Sequence, residues 1–263
     1  MDYYISLVQK NLAYTFSLLK KNVASKYKVG VLASGGIDSS VIAYYATRYF
    51  ANAELLSFGT FKSKDLPFIE ILKNYLAVNH QYLVIEDNDI KNNLHTVNKI
   101  LIENGIEPNL MQRSLALGYF LIFKKAQTLN IKYVLTGQGP DVLLAGYSKY
   151  KRMNKNEINT EILKDINALE IDKKRDQAMA DHFGIKLINP YLEKTFIDLS
   201  LQIPLKYKLV IKEGRWIEKL ILRELGKKIG LPDEIVHRPK MAFQYSTGIQ
   251  KAISKCCLYL PAI

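Results

Sequence analysis

The sequence predicts an α/β protein in which a parallel sheet carries helices on both faces and is followed by a mainly helical C-terminal part. Three observations lead to this prediction. Short apolar runs alternate with helix-length segments over the first half of the chain, glycine-rich turns follow two of these runs, and the strand signal fades from about residue 158 onward. We therefore expect an α/β core with an N-terminal helix at residues 1–157 and a mainly helical part at residues 158–263.

The chain opens on an amphipathic helix, because apolar side chains recur at spacings of three and four residues. Its apolar positions are Ile5, Val8, Leu12, Phe16 and Leu19. Strands are then expected at residues 29–33, 54–59, 81–86 and 132–135. Helices are expected between them at residues 41–50, 65–78, 87–103 and 111–129, and further on at residues 161–183, 192–201, 214–229 and 247–255.

Strands that alternate with long helices form a parallel sheet covered on both sides. Ligands of such sheets bind beyond the carboxyl ends of the strands. Small polar residues and glycines follow the first, second and fourth predicted strands, at Ser34, residues 57–60 and residues 136–139. Three strand ends should therefore meet at one crevice.

The composition limits the class of protein. A chain of 263 residues with 48% hydrophobic content can bury the core of one large domain, or of one domain with a helical extension. No apolar stretch is long enough to cross a bilayer, and the N-terminus lacks the pattern of a signal peptide. Because the two cysteines, Cys256 and Cys257, are adjacent and poorly placed for a disulfide, we expect a reducing, cytoplasmic location.

The net charge is +12, and the 37 lysines and arginines are scattered along the chain. Such a charge fits nucleic acid, an anionic membrane or a polyanionic small substrate. Solvated faces explain most of these residues and a nucleotide site explains some, with nucleic-acid binding kept as an alternative. The four histidines show no metal-ligand spacing, and we expect them to be non-catalytic.

Residues 34–40 read Ser-Gly-Gly-Ile-Asp-Ser-Ser and lie between a predicted strand and a predicted helix. Gly35 and Gly36 let backbone N–H groups approach an anion, and the helix adds its positive dipole end. Asp38 would repel a bare phosphate, so it suits a ligand of phosphate-bound Mg²⁺. Neither the Walker pattern nor the dinucleotide fingerprint is present. The alternative is a Gly-Gly turn capped by polar residues.

A second glycine-rich turn follows the fourth strand. It reads Leu-Thr-Gly-Gln-Gly-Pro-Asp at residues 135–141, with Ala-Gly-Tyr at residues 145–147. Asp141 would share a phosphate-bound metal with Asp38, so that two carboxylates distant in sequence clamp one leaving group. Taken alone, this turn is a weak signal, because a loop with an aspartate and three glycines is structural more often than not.

The first motif resembles the PP-loop of enzymes that cleave ATP between the α and β phosphates. Together with the second motif, it resembles the synthetase domain of the asparagine synthetase family. Further segments match that family in order, from about residue 5 to about residue 250: residues 189–193, 203–204, 223–225, 230–232 and 238–240. The resemblance implies a fold of the adenine nucleotide alpha hydrolase type.

The resemblance also implies a chemistry. A carboxylate, by default aspartate, attacks the α-phosphorus of MgATP, pyrophosphate leaves, and ammonia displaces AMP. In this reading the residues that hold the phosphates are Ser34, Gly35, Gly36, Ser39 and Ser40. Those that line the adenosine pocket are Leu32, Thr60, Thr136 and Gly137. Asp38 and Asp141 bind Mg²⁺ with pyrophosphate, and Lys240 neutralises charge that builds on the phosphates.

Two positions depart from the family pattern. The glutamate tied to amide formation is Gln138 here, and the acidic residue after the metal-binding aspartate is Val142. Glutamine can orient a substrate through hydrogen bonds, but it cannot act as a general base. Either the carboxylate differs from aspartate or another group supplies the base. Arg175 and Asp176 lie where the family contacts its amino acid, although an exposed ion pair explains them equally well.

Full asparagine synthetases begin with a glutaminase domain, whereas this sequence reaches the first glycine turn within 34 residues. We therefore expect a stand-alone synthetase domain that takes free ammonia or ammonia from a separate glutaminase subunit, with a homodimer as a compatible assembly. Two other hypotheses remain. A PP-loop enzyme could modify tRNA, although paired catalytic cysteines near the site are missing, or the chain could be a nucleotide-binding protein whose chemistry has lapsed at Gln138 and Val142.

Overall fold

The computed structural model describes residues 1–23 and 26–257, apart from the side chain of Cys257. Its centre is a five-stranded parallel sheet with the order β3-β2-β1-β4-β5. The strands are β1 Lys28–Leu32, β2 Ala53–Gly59, β3 His80–Val84, β4 Ile131–Leu135 and β5 Lys186–Ile188. The strand order reverses direction between β1 and β4, which is where sheets of this kind open a crevice for a ligand.

Helices cover both faces of the sheet, and the predicted α/β fold class is confirmed. The helices are α1 Asp2–Asn22, α2 Ile37–Tyr49, α3 Leu66–Leu76, α4 Asp87–Glu103, α5 Leu110–Thr128, α6 Pro140–Leu143, α7 Lys155–His182, α8 Lys194–Gln202, α9 Leu220–Lys228, α10 Asp233–Val236, α11 Phe243–Ser246 and α12 Ile249–Cys257. A small antiparallel hairpin of β6 Leu209–Lys212 and β7 Arg215–Glu218 precedes α9.

The two faces of the sheet bury separate cores. Neighbouring residues of β2 show the alternation of a strand, since Leu55 packs into the core with α1, α2 and α9, while Leu56 packs into the core with α4, α5 and α12. Four of the five apolar positions expected on α1 are buried in the first core, and Leu19 is partly buried against it. These packed layers hold the ends of β1, β2 and β4 in fixed relative positions.

The C-terminal half contains strands that the sequence pattern did not predict. The helix expected at residues 214–229 is wrong at its start, because residues 215–218 form β7 and α9 begins at Leu220. Glu213 and Gly214 both have positive φ angles, 50° and 72°, and form the turn of the hairpin. Strands of three or four residues are too short to show a periodicity of two.

The sheet draws on both predicted parts of the chain. β5 comes from the C-terminal part and pairs in parallel with β4, with Tyr133 opposite Lys186 and Leu135 opposite Ile188. The expected boundary at residues 157 and 158 falls near the start of α7. The two parts therefore share one sheet. Within the described residues, no helix combines the length and the apolar character needed to span a membrane.

Candidate active site

The loop at residues 33–36, predicted above to hold phosphates and called the phosphate loop from here on, joins β1 to α2. Gly35 has φ +67°, and a Cβ on it would lie 2.5 Å from Cβ of Phe68 in α3, so both its conformation and its packing require glycine. The hydroxyl of Ser39 accepts a hydrogen bond from the Ser34 N–H at 3.1 Å and donates one to the Gly36 carbonyl at 3.2 Å. The loop is thus held in shape by its own short-range bonds at the N-terminus of α2.

The second loop, residues 136–139, follows β4 and lies directly against the start of α2. A Cβ on Gly137 would lie 2.7 Å from the backbone nitrogen of Ser39. The Thr136 hydroxyl donates to Oδ1 of Asn189 at 2.6 Å and accepts from the Gln138 N–H at 3.2 Å. The two glycine-rich turns that the sequence singled out, about a hundred residues apart in the chain, are therefore in contact.

Two carboxylates and two ammonium groups meet where these loops join. The Nζ atom of Lys219 forms ion pairs with Oδ2 of Asp38 and, at 2.7 Å, with Oδ1 of Asp141. The Nζ atom of Lys240 lies 2.5 Å from Oδ2 of Asp141. Lys219 is 2% exposed and Lys240 is half-buried, and both side chains border the cavity. We call these four residues the charge cluster.

The electrostatics of the charge cluster follow from burial and proximity. Burial disfavours the ionised form of Asp141, but Lys219 and Lys240 outweigh it and lower the pKa of this carboxyl to about 2. Burial also opposes the charge on Lys219, and the two aspartates outweigh it and raise the lysine pKa. The pKa of Asp38 is raised by burial, assisted by the nearby charge of Asp141 and opposed by Lys219. Asp38 thus holds its negative charge less firmly than Asp141.

The carboxylates fit a magnesium ion that is bound together with phosphate. The Oδ1 atom of Asp38 is buried and makes no hydrogen bond with the protein. Magnesium sites in nucleotide-binding enzymes use one or two carboxylates, with phosphate oxygens and water as the remaining ligands. Residues 1–23 and 26–257 contain no group of three or more His, Cys, Asp or Glu side chains that could hold a metal alone. Asp38 and Asp141 therefore suit Mg²⁺ that arrives with phosphate.

A cavity of about 460 Å³ opens above the charge cluster and is bordered by most of the predicted site residues. Those on its wall are Leu32, Ser34, Gly36, Asp38, Ser39, Thr136, Gly137, Gln138, Asp141 and Lys240. At one end the wall is apolar and is formed by α5, β2 and α11 through Leu56, Phe58, Met111, Leu115 and Phe243. An apolar end next to a charged end suits a nucleotide, whose base is flat and whose phosphates are ionised.

Three predicted residues are not on the cavity wall. Gly35 packs against Phe68 at the back of the loop, and Ser40 is fully buried in α2. Thr60 does not line the expected adenosine pocket, because its hydroxyl donates to the Thr247 carbonyl at 3.2 Å and its N–H donates to the same oxygen at 2.9 Å. These bonds join the segment after β2 to the end of α11. Thr60 therefore supports the wall from behind.

The far side of the cavity carries a buried polar network on α7. Arg175 bonds Oδ1 of Asp176 at 2.7 Å, Oδ1 of Asp172 at 2.6 Å and Oε1 of Gln112 at 2.9 Å. Of the two readings of Arg175 and Asp176, the exposed ion pair is wrong, since they are 2% and 1% exposed and lie inside α7. Burial raises the pKa of Asp176 to about 6 despite Arg175. Arg175, Asp172 and Gln138 all border the cavity here.

Lys219 is the site residue that the sequence did not reveal. Its φ of 54° places it in the left-handed region at the N-terminal boundary of α9, directly after β7. The helix expected over residues 214–229 would have made it one of several lysines on a solvated face. A single lysine with no local motif gives no signal of burial. Its role appears only when β7 and α9 bring it between two carboxylates that are far away in the chain.

Comparison with known proteins relates most of this chain to one protein family. The sequence profile described as asparagine synthase matches residues 17–169 and 155–256. A putative glutamine-hydrolyzing asparagine synthetase of Methanocaldococcus jannaschii is 30% identical over 89% of this chain and 48% of its own length. Asparagine synthetase 1 of Lotus japonicus, also described as glutamine-hydrolyzing, is 29% identical over 87% of this chain and 41% of its own length. The chain thus spans less than half of these relatives.

Proposed function

The chain belongs to the asparagine synthase family, and we propose that it is an ATP-dependent ligase that adenylates a carboxylate and converts it to an amide with ammonia. Aspartate is the default carboxylate within this proposal. The observation that carries the proposal is the charge cluster, in which Asp38, Asp141, Lys219 and Lys240 meet at the junction of the two glycine-rich loops. A purely structural pair of turns has no need of four charges around a cavity.

ATP would bind with its phosphates over the N-terminus of α2 and its base in the apolar end of the cavity. The N–H groups of the phosphate loop and the helix dipole attract the triphosphate. The ring of Phe243 packs at 4.9 Å and 81° against Phe58 and at 6.0 Å against Tyr119, which makes that end of the cavity rigid. A flat base fits such a slot without a large cost in ordering side chains.

Adenylation requires stabilisation of charge on the leaving pyrophosphate. Asp38 and Asp141 would hold magnesium with that group, and the ion would supply neutralisation of the phosphate oxygens. Lys240 lies in the loop before α11, pairs with Asp141 and borders the cavity, so it would reach the same oxygens. Lys219 favours the ionised form of both carboxylates and would hold them close together before ATP binds. The chain thus provides preorganised charges, which is the main requirement of phosphoryl chemistry.

The carboxylate substrate would occupy the side of the cavity formed by Gln138, Asp172 and Arg175. The Oε1 atom of Gln138 is buried and has no hydrogen-bond partner in the protein, so it can accept an N–H from a substrate amine or from ammonia. This arrangement supports an amino-acid substrate, whose amino and carboxylate groups match an aspartate and an arginine. Free ammonia or a separate glutaminase subunit would supply nitrogen, and a homodimer is compatible with the proposal.

The test is a panel of amino acids and other small carboxylates incubated with MgATP and ammonium, with AMP, pyrophosphate and amide measured together. We expect one member of the panel to give all three in equal amounts. The variant Asp141→Asn serves as the matched control, because it keeps the size of the side chain and removes the charge. If no carboxylate elicits AMP and pyrophosphate above the level of this variant, the ligase proposal is wrong. Release of AMP only with tRNA would favour the RNA-modifying alternative.

A further inference from the structure

Arg238 lies at the junction of three segments that carry the site. Its guanidinium donates to the carbonyl oxygen of Ser34 in the phosphate loop and to Oδ1 of Asp65, which directly precedes α3. Its Cζ atom lies 4.1 Å from the centroid of the Phe68 ring. Arg238 is 7% exposed and Asp65 is 2% exposed. A buried arginine thus joins the phosphate loop to the start of α3 through two directed bonds.

The same network reaches α11 and α9. The second oxygen of Asp65 accepts from the Ser246 hydroxyl at 2.8 Å, so α11 is bonded to the same carboxylate as Arg238. The carbonyl of Arg238 accepts from Nη1 of Arg223 at 3.1 Å, and Nε of Arg223 donates to the Glu218 carbonyl at 2.9 Å. Glu218 directly precedes Lys219. Both lysines of the charge cluster therefore lie within two residues of a bond in this network.

Lys240 lies between two residues of this network, Arg238 and Ser246. It follows Arg238 by two residues, and Pro239 between them restricts the backbone. Between Arg238 and α11, Lys240 makes its side-chain bond to Asp141 across the cavity. The segment that carries Lys240 is thus anchored on both sides through Asp65, at Arg238 and at Ser246. Loss of the Arg238 anchor would let Lys240 move relative to the phosphate loop.

We propose that Arg238 is a positioning residue that fixes Lys240 against the phosphate loop by bonding the Ser34 carbonyl and Asp65 at once. The inference rests on one part of the proposed function, namely that Lys240 binds pyrophosphate oxygens. Arginine suits this role because its planar fork reaches two acceptors in fixed directions, whereas lysine offers one charge on a flexible stem. The variant Arg238→Lys therefore keeps the charge and loses the geometry.

Binding of magnesium pyrophosphate, measured by calorimetry, tests the inference without any need to know the carboxylate. We expect Arg238→Lys to weaken this binding about tenfold through loss of the two-point contact, and Lys240→Ala to weaken it at least as much. In the double variant, we expect no loss beyond that of Lys240→Ala, because a residue that acts through Lys240 has nothing left to position. Asp65→Asn should reproduce the effect of Arg238→Lys. It therefore provides a second test if the Arg238→Lys protein folds poorly.

Arg215→Lys is the matched control, since Arg215 is exposed on the hairpin and stands outside the network. Its affinity for magnesium pyrophosphate should equal that of the wild type. Full additivity in the double variant, or unchanged affinity in Arg238→Lys and Asp65→Asn, would overturn the inference. The ligase proposal can fail separately, because the binding results stand even if no carboxylate in the panel is adenylated.

Discussion

The backbone of Ser39 lies so close to Gly137 that a Cβ on this glycine would be 2.7 Å from the Ser39 nitrogen and 2.8 Å from its Cα atom. This contact joins the start of α2, directly after the phosphate loop, to the second loop and brings Asp38 near Asp141. Both obstructing atoms belong to the backbone at the start of α2, so they cannot move away as the end of a side chain would. The contact leads directly to a test.

Gly137→Ala should separate the two loops. We expect a loss of about 1–3 kcal/mol in the free energy of unfolding, as for other overpacked positions, and a weaker affinity for MgATP. Denaturant unfolding and equilibrium nucleotide binding measure the two effects. Gly36→Ala is the control for stability, because its nearest contact would be an ordinary 3.4 Å from the Ser34 hydroxyl and its φ is −82°. Equal stability of the two variants would contradict the close contact.

Removal of the buried cation should expose the repulsion between the carboxylates. We expect Lys219→Met to lower the free energy of unfolding by about 3–5 kcal/mol, the usual cost of breaking a buried ion pair from one side. Magnesium should restore more stability in this variant than in the wild type, since the ion would neutralise Asp38 and Asp141. Urea unfolding with and without magnesium measures both quantities.

The control for this substitution is Lys194→Met, which removes an ion pair with Asp198 whose lysine is 86% exposed. Exposed pairs contribute about 0–1 kcal/mol, so the control should be nearly neutral and insensitive to magnesium. A Lys219→Met protein that unfolds at the same denaturant concentration as the control would argue against a buried, charged Lys219.

The free acceptor on Gln138 should act late in the reaction. Gln138→Leu keeps the approximate volume and removes both the Oε1 acceptor and the side-chain hydrogen bond to Asp176, and we expect amide formation to slow about tenfold or more. Adenylation, followed by exchange of pyrophosphate into ATP in the absence of ammonia, should change much less. If the rates of pyrophosphate exchange and amide formation decrease equally, Gln138 acts in substrate binding or adenylation, and the predicted role in the reaction with ammonia is wrong.

Asp176 should make the stability depend on pH. Its pKa is raised from 3.8 to about 6 in the folded protein, so its contribution to stability is complete below pH 3.8 and is lost as the pH rises through about 6. For a shift of this size, Asp176→Asn should gain up to about 3 kcal/mol relative to the wild type between pH 4 and pH 7. What is tested is how the difference in free energy of unfolding between the variant and the wild type changes with pH. A cost of the substitution that does not depend on pH has no effect on this change. Asp198→Asn, at an exposed site, should show no comparable change, and a flat difference for Asp176→Asn would disprove the raised pKa.

The sequence predicted the features that depend on local pattern. The ends of β1 and β4, the phosphate loop and the second loop each occupy a short stretch, and strand-turn-helix order is visible within such a stretch. The buried face of α1 follows from apolar spacing in the same way. The three-residue strand β5 and the hairpin of β6 and β7 are too short for a periodic signal, and a longer helical pattern concealed β7.

The features that the sequence did not predict depend on contacts between distant residues. Lys219 and Asp38 are 181 residues apart, and Arg238 and Asp65 are 173 residues apart. Nothing in the neighbourhood of a lysine or an arginine indicates whether it will be buried against such a partner. Arg175 and Asp176 show the same limit, since their adjacency suggested an exposed pair and only the packing of α7 on α5 enclosed them.

The pairing of β5 with β4 has a consequence for dissecting the molecule. A fragment that ended near residue 157 would present the open edge of β4, with its N–H and C=O groups ready to pair with a neighbouring copy. Such a truncated piece should aggregate, and it would also lack both lysines of the charge cluster. The halves of this polypeptide are therefore interdependent, and studies of its chemistry need both of them.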